Sequence, residues 1–264
     1  MSILQHLIAL PGLLRLRSQQ IRSFTMPEEF QLFSSLRYDK KLLDVPASGF
    51  AQAGWNHENT SPFYMLDYHR DRILRAATYW GWNPAIKAIA GPEGLENLES
   101  FLTKNLESGP APLRVKVTLT KDGELGVESN NVPEQSLANL FPSQALPQDI
   151  EDAVQGSLGV LEREPVYEVY LDQDPTHRSE YTHYKTTKRA MYDGARKRAG
   201  IALTDTKEVL LVNQDDGTVM EGSTTTPYFF RGGRWVTPPV SRQYNAEAGS
   251  GGQDGTTRRW ALER

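Results

Sequence analysis

The 264-residue sequence contains no cysteine. This absence excludes disulfides, thiolate nucleophiles and zinc–thiolate sites, and it fits a protein of a reducing compartment. The sequence also has no apolar run of about 18 residues, the length that a membrane-spanning helix needs. The net charge is small, at −4, which argues against a general binder of nucleic acid or of acidic membranes.

Two site-forming patterns are missing as well. The five histidines are scattered, and none lies at metal-ligand spacing from a nearby set of ligands, so we expect no metal site. Neither a Gly-x-Gly-x-x-Gly motif nor a Walker loop is present. The run Gly249-Ser250-Gly251-Gly252 superficially suggests a phosphate loop, but no Lys-Ser/Thr pair follows it. We predict a flexible active-site loop there instead.

The first 25 residues differ in composition from the rest. They carry Arg15, Arg17 and Arg22, no acidic residue, and two leucine-rich clusters. This composition is typical of a mitochondrial targeting peptide. The alternative is a plain extension of a cytoplasmic protein, because the residues after Met26 already resemble the start of a domain. Both interpretations stay open.

The remaining residues predict an α+β chain in two halves. In the first half, apolar residues at helical spacing run from Met65 to Trp80, and strict alternation over residues 113–119 predicts a half-buried strand. In the second half, residues 166–171, residues 208–212 and a stretch that ends near Glu221 are typical of strands. A polar, proline-bearing segment separates the halves. We therefore expect an N-terminal extension over 1–25, a small α/β domain over 26–128, an interdomain connection over 129–151, and a larger domain over 152–264.

Four short segments carry residue types that suit one kind of chemistry. They are His69-Arg70-Asp71-Arg72 on an early helix, Tyr184-Lys185-Thr186-Thr187-Lys188-Arg189 between a strand and a helix predicted over 187–199, Glu221-Gly222-Ser223-Thr224-Thr225-Thr226 at a strand end, and Gly252-Gln253-Asp254-Gly255-Thr256-Thr257-Arg258 in a loop that opens a helix.

In this order and spacing, the four segments resemble the fold type IV pyridoxal-phosphate (PLP) enzymes, the class IV aminotransferase family. Branched-chain aminotransferases, D-amino-acid aminotransferases and aminodeoxychorismate lyases belong to it. The resemblance runs from about residue 30 to the end of the chain, and the residues around Lys185 are most similar to fungal aminodeoxychorismate lyases. It implies a two-domain, D-amino-acid aminotransferase-like architecture in which residues 152–264 form the PLP-binding domain.

The resemblance assigns Lys185 as the catalytic lysine that holds the cofactor, because the aldehyde of PLP needs a lysine amine. Lys188 is the rival, and we reject it because it falls inside the predicted helix. Glu221 is implied as the carboxylate that keeps the pyridine nitrogen protonated.

The phosphate of the cofactor needs hydrogen-bond donors and positive charge. By resemblance, Arg72 supplies the charge, and Thr256 and Thr257 supply donors at the start of a helix. Ser223 and Thr224 are expected to reach the cofactor ring or the phosphate with their hydroxyl groups. An ordinary helix cap at the threonines and polar strand-end residues at 223 and 224 are the alternatives.

Two departures from the family pattern stand out. Thr226 occupies a position where many members have asparagine. The chain also stops at Arg264, whereas family members continue for some tens of residues that complete the sheet and add a hydroxyl contact to the phosphate. We therefore expect a C-terminally short version of the architecture with an incomplete cofactor cup.

The resemblance implies a PLP-dependent lyase that converts 4-amino-4-deoxychorismate to 4-aminobenzoate and pyruvate in folate biosynthesis. The first alternative is an aminotransferase of the branched-chain or D-amino-acid type, which uses the same lysine. The second is a truncated, inactive remnant. The implied partners are a small-molecule amino substrate and a second copy of the chain in a homodimer.

Overall fold

The computed structural model describes residues 29–107, 109–142, 166–202 and 204–264. The predicted extension over 1–25, with its targeting expectation, and residues 143–151 of the predicted connection lie outside these ranges. Within them, no helix is both long enough and apolar enough to cross a membrane.

The first half of the chain is built on an antiparallel sheet of three strands. β1 (Leu32–Tyr38), β2 (Leu113–Leu119) and β3 (Leu125–Asn131) lie in the order β1-β2-β3. The predicted alternation in β2 is confirmed, because Val115 and Val117 are fully buried while Arg114 is exposed. β3 extends three residues beyond residue 128, the predicted end of the first domain.

Four α-helices follow β1 and cover the apolar face of this sheet. They are α1 (Trp55–Glu58), α2 (Leu66–Tyr79), α3 (Asn83–Ile89) and α4 (Gly91–Asn105), preceded by 3-10 segments at Lys40–Ala47 and Ala51–Ala53. Helix α2 agrees with the spacing prediction to within one residue at each end. Its buried residues Ile73, Ala76 and Ala77 join Val115 and Val117 in one core.

The second half contains a mixed sheet with one helix packed on it. β4 (Glu168–Leu171) runs parallel to β5 (Lys207–Val212), and β6 (Val219–Gly222) is antiparallel to β5. The remaining elements are α5 (Leu137–Leu140), α6 (Glu180–His183), α7 (Ala190–Arg198), the hairpin of β7 (Phe229–Arg231) and β8 (Arg234–Val236), and α8 (Thr256–Leu262). Tyr192 and Ala195 of α7 pack against Val209, Leu211 and Met220.

The two halves meet along the free edge of β1. The Phe33 N–H donates to the carbonyl of Lys185 at 3.1 Å, and the Thr187 N–H donates to the carbonyl of Gln31 at 2.9 Å. Residues 185–187 therefore extend the first sheet in the manner of a short edge strand. The backbone of Lys185 is fixed by the half of the chain to which Lys185 does not belong.

This pairing corrects two predictions around Lys185. The element before it is the short helix α6, capped by Ser179, and not a strand. The helix predicted from residue 187 begins only at Ala190, because hydrogen bonds to β1 keep residues 185–187 extended. Lys188 therefore lies outside the helix, and the reason given for rejecting it is wrong.

Candidate active site

A cleft of about 820 Å³ lies between the two halves. This volume is within the usual range of small-molecule sites. The first sheet contributes its second face: Phe33, Ser35, Arg114 and Lys116 line the cleft, because side chains alternate between the two faces of a strand. All the predicted site residues line it as well, namely Arg72, Lys185, Glu221, Ser223, Thr224, Thr256 and Thr257.

Lys185 reaches the cleft with a half-buried side chain. Its Nζ lies 5.0 Å from the centroid of the Phe33 ring and donates to Oε1 of Gln253 at 3.4 Å. Burial lowers the pKa of Lys185, and the positive charges of Arg72 and Arg189 lower it further. A larger fraction of neutral amine at neutral pH follows, and only the neutral amine attacks a carbonyl or accepts a proton.

Lys188 projects in a different direction. Its Nζ lies 5.0 Å from the ring centroid of Tyr181 and 5.5 Å from that of Phe30. Lys185 lines the cleft, whereas Lys188 lies beside two aromatic rings and is not among the lining residues. This difference in position, and not a helix, favours Lys185 as the cofactor lysine.

Glu221 is the next-to-last residue of β6 and carries a buried carboxyl group at the cleft. Tyr192 donates its hydroxyl hydrogen to Oε1 of Glu221 at 2.5 Å. Burial raises the pKa of Glu221, and the hydrogen bond from Tyr192 opposes that rise. A cation bound next to Glu221 would lower the pKa of this carboxyl group and so favour its ionised form.

Tyr192 and Gln253 are site residues that the sequence analysis missed. Nε2 of Gln253 donates to the Tyr192 oxygen at 3.2 Å, while its Oε1 accepts from Lys185. A chain of donors therefore runs from Lys185 through Gln253 and Tyr192 to Glu221. One signal was present in the sequence: Tyr192 is an aromatic residue within the otherwise highly charged segment of α7.

Ser223 and Thr224 lie at the cleft, but both hydroxyl groups are already engaged. The Ser223 hydroxyl donates to Glu208 at 2.6 Å, and the Thr224 hydroxyl donates to the same carboxylate at 2.8 Å. Each hydroxyl has one hydrogen, and in this structure both hydrogens are donated to Glu208. Oγ of Ser223 also accepts from Arg196 at 3.1 Å.

Glu208 organises this loop and was another residue missed from the sequence. It is 4% exposed and also accepts from Oγ1 of Thr225 at 2.8 Å. Burial acts to raise the pKa of Glu208, but hydrogen bonds from Ser223, Thr224 and Thr225 outweigh it, and the net pKa lies below the usual range. The sequence feature that could have pointed to Glu208 is its position as the one acidic residue of strand β5, directly before an apolar run.

Arg72 reaches the cleft from α2. Its Nη2 donates to the Ser34 hydroxyl oxygen at 2.5 Å, and its Nε is buried without a hydrogen-bond partner among the described residues. Burial lowers the pKa of Arg72 to about 10, with a further contribution from Arg75. The guanidinium group therefore stays charged at neutral pH, and its Nε–H can still donate a hydrogen bond to a ligand.

Thr256 and Thr257 form the first turn of α8, directly after Gly255. Two ion pairs hold this turn against α2: Arg75 with Asp254 at 2.8 Å, and Arg259 with Asp71 at 2.8 Å. The first N–H groups of a helix have no partner within the helix. Gly255, Thr256 and Thr257, at this helix start, line the cleft.

Positive charge dominates the lining of the cleft, although the whole chain is acidic. The basic residues are Arg72, Arg114, Lys116, Lys185, Arg189, Arg196 and Lys207, whereas the acidic ones are Asp193, Asp205 and Glu221. This excess favours anionic ligands.

The family model for class IV amino-transferases matches residues 54–264. The match covers most of the chain, so this protein belongs to the class IV aminotransferase family, whose members are PLP-dependent enzymes. A search of curated proteins found no match.

Three solved structures are similar in fold. A protein assigned as an amino-acid aminotransferase from Mesorhizobium loti is 18% identical, with a TM-score of 0.54 over 89% of this chain and 83% of that one. One assigned as a branched-chain amino acid aminotransferase from Thermotoga maritima is 18% identical, with a TM-score of 0.53 over 89% of this chain and 62% of that one. One assigned as a 4-amino-4-deoxychorismate lyase from Legionella pneumophila is 10% identical, with a TM-score of 0.52 over 88% of this chain and 68% of that one. These likenesses confirm the predicted α+β, fold type IV architecture.

Proposed function

We propose that this chain binds PLP in the cleft and acts as an aminodeoxychorismate lyase, which releases 4-aminobenzoate and pyruvate. The observation that carries the proposal is the excess of basic residues beside Lys185. The substrate has two carboxylates and the cofactor has a phosphate, so the site must bind several negative charges together. Arg114 and Arg189 line the cleft close enough to Lys185 to lower its pKa, and they are the candidates to bind the substrate once Arg72 is assigned to the phosphate.

The residues of the cleft fit PLP. The buried Nε of Arg72 has no hydrogen-bond partner among the described residues, and the planar donor fork of an arginine suits a phosphate. Thr257 adds a hydroxyl group beside Gly255. An added Cβ at Gly255 would lie 2.8 Å from the Thr226 hydroxyl oxygen, so the tight approach there requires glycine. Glu221 would face the ring nitrogen, and Lys185 would hold the aldehyde carbon.

When bound, PLP supplies an electron-withdrawing ring conjugated to the substrate nitrogen. The work of this chain is then proton transfer by Lys185. As a neutral amine, Lys185 takes the proton from the substrate carbon that bears the nitrogen, and the carbon–oxygen bond to the enolpyruvyl group breaks as the ring becomes aromatic. The resulting ammonium returns the proton to the departing enolpyruvate, which becomes pyruvate.

An aminotransferase is the second candidate, and the structural likeness to two proteins assigned as aminotransferases favours keeping it. Lys185, Glu221 and Arg72 would have the same roles in both reactions, so only the substrate separates them. In that case Lys185 would move a proton between two atoms of one bound amino acid and release no pyruvate from an aminodeoxychorismate.

The experiment supplies the chain with PLP and 4-amino-4-deoxychorismate and measures 4-aminobenzoate and pyruvate together. Equal amounts of both products support the lyase. A parallel reaction offers branched-chain and D-amino acids with a 2-oxo acid acceptor. Formation of a new amino acid there, without 4-aminobenzoate in the first reaction, would overturn the lyase in favour of the aminotransferase.

Family resemblance also supports a homodimer that works in folate biosynthesis, in the cytoplasm or in mitochondria. Sedimentation of the purified chain tests the dimer, and microscopy of the tagged full chain with and without residues 1–25 tests the location.

A further inference from the structure

A buried hydrogen-bonded trio lies behind the cleft, on the core side of β1. The Ser34 oxygen is 2.7 Å from Nδ1 of His69 and 2.5 Å from Nη2 of Arg72, while Nδ1 of His69 is 3.4 Å from the same Nη2. Ser34 is 0% exposed and His69 is 3% exposed.

One arrangement of donors and acceptors satisfies every member of this trio with the contacts observed. An arginine can only donate, so the Ser34 oxygen accepts from Nη2 of Arg72. A hydrogen on Nδ1 of His69 would lie beside Nη2 of Arg72, a group 3.4 Å away that can only donate, and it would leave the Ser34 hydroxyl hydrogen without an acceptor among the described residues. The Ser34 hydroxyl therefore donates to Nδ1 of His69, which accepts. His69 is therefore neutral and carries its proton on Nε2.

The surroundings keep His69 neutral. Burial lowers the pKa of His69 well below its usual range, and the charges of Arg72 and Lys185 lower it further. A protonated His69 would lose its acceptor and place a second cation beside Arg72.

Ser34 is a polar residue on the apolar, core-facing side of β1. The same face of β1 carries the buried apolar residues Leu32 and Leu36, and a polar group in such a core is costly unless it is hydrogen-bonded. Ser34 meets this condition through Arg72 and His69 together. One end of the guanidinium is therefore held from behind, while the buried Nε still lacks a partner among the described residues.

We propose that Ser34 and the Nε2-protonated form of His69 are positioning residues that hold Arg72 so that its free donors face an anionic phosphate group in the cleft. The inference rests on the proposed cofactor site. It predicts that Ser34 contributes to binding only through the phosphate, because Ser34 touches Arg72 and lies behind the cleft wall.

The test compares PLP with pyridoxal, which has the same ring and aldehyde but no phosphate, by absorbance titration of the full chain. Ser34→Ala should weaken PLP binding about tenfold, the effect of losing roughly one hydrogen bond of 1.4 kcal/mol, and should leave pyridoxal binding unchanged. Equal losses for both ligands, or no loss for either, would overturn the inference.

Two further variants separate positioning from simple loss of packing. His69→Asn places an acceptor near the position of Nδ1 and should keep most of the PLP affinity, whereas His69→Leu has no acceptor and should behave like Ser34→Ala. Ser61→Ala is the matched control, because Ser61 is also buried and donates to the carboxylate of Glu99 at 2.5 Å. It should lower thermal stability without changing the ratio of the two affinities; a changed ratio would contradict positioning through Arg72.

Two measurements without PLP distinguish this inference from the proposed function. Nitrogen-15 NMR of the ligand-free chain should show His69 protonated at Nε2, and protonation at Nδ1 would overturn the inference. Inorganic phosphate should raise the thermal unfolding temperature of the wild type more than that of Ser34→Ala. If the chain binds no PLP but phosphate raises the unfolding temperature more in the wild type than in Ser34→Ala, the inference is supported and the proposed function is not. If the chain binds no PLP and phosphate leaves the unfolding temperature unchanged, both the inference and the proposed function are overturned.

Discussion

Tyr192 and Glu221 form a short hydrogen bond of 2.5 Å at the base of the cleft, with Tyr192 as the donor. The bond links α7 to the end of β6, and strand β5 lies between these two elements in the sequence. Burial favours a protonated Glu221, and the Tyr192 hydroxyl favours the ionised form. Tyr192 therefore favours the carboxylate form of Glu221, the form that the proposed role opposite the pyridine nitrogen requires.

Tyr192→Phe should lower kcat about tenfold, the effect of roughly one charge-assisted hydrogen bond. The phenyl ring keeps the packing of α7, so the fold should survive. Because the lost bond had opposed the rise in the pKa of Glu221, that pKa should rise further. The pH at which the absorbance of bound cofactor changes reports the shift.

The chain offers a matched control for this variant. Tyr170 donates to Glu168 in the same chemical pairing, but both residues are exposed on β4. Tyr170→Phe should leave kcat and the cofactor spectrum unchanged. Equal effects of the two substitutions would show that the Tyr192 bond is structural only.

Lys185→Ala should abolish covalent attachment of PLP, whereas Lys188→Ala should keep it. Lys185 lines the cleft with a lowered pKa, and Lys188 lies over the rings of Tyr181 and Phe30. Borohydride reduction followed by peptide mapping locates the label. A phosphopyridoxyl group on Lys188 would contradict the assignment.

Glu221→Gln should leave PLP bound and remove most of the activity. An amide can hydrogen-bond to the ring nitrogen, but it cannot hold that nitrogen protonated as a carboxylate does. Absorbance titration measures the bound cofactor and product release measures turnover. Near-normal turnover with full cofactor occupancy would show that Glu221 is not the ring partner.

The sequence predicted those features that depend on local periodicity. The helical spacing over residues 65–80 yielded α2, and the alternation over 113–119 yielded β2. Alternation reports that one face of a strand is buried, but it does not report what lies opposite the other face. The alternation therefore predicted a half-buried strand but not that Arg114 and Lys116 of its polar face line the cleft.

The missed features depend on contacts between residues far apart in the chain. The extended backbone at 185–187 depends on hydrogen bonds to Phe33 and Gln31, so local propensity alone started the helix at Thr187, three residues before its observed start at Ala190. Glu208 becomes important only because the loop at 223–225 folds onto it. Family resemblance supplied the seven predicted site residues, and the cleft brings them together, but their roles toward PLP remain predictions.

Arg114→Ala should raise KM for the anionic substrate about tenfold and leave kcat nearly unchanged, because a contact equal in ground and transition states acts on binding. Arg114 is also among the charges that lower the pKa of Lys185. Its removal should raise that pKa, so the acid limb of the rate profile should move to higher pH. Arg231→Ala, on the exposed β7–β8 hairpin, is the control, and an unmoved KM in Arg114→Ala would exclude Arg114 from substrate binding.

Glu208→Gln should lower the free energy of unfolding by roughly 1.5–3 kcal/mol at pH 7, the range for hydrogen bonds to a charged group. An amide offers one acceptor and one donor, whereas the loop presents donors to both carboxylate oxygens: Oε1 accepts from Ser223, and Oε2 accepts from Thr224 and Thr225. Glu124→Gln, an exposed residue in the β2–β3 turn, should change the free energy of unfolding little.

The same variant gives a pH test whose sign follows from the pKa of Glu208. Its folded-state pKa is depressed, so its contribution to stability is fully present above the unfolded value of about 4.3 and is lost as the pH falls through the folded value. Urea unfolding of wild type and Glu208→Gln should therefore give a stability difference that is constant from pH 7 to about 5 and shrinks below about 4. Other acids titrate in both proteins, so the difference isolates Glu208. A difference that grows as the pH falls would mean that Glu208 is protonated in the folded protein and that its hydrogen bonds to the loop are not those of a carboxylate.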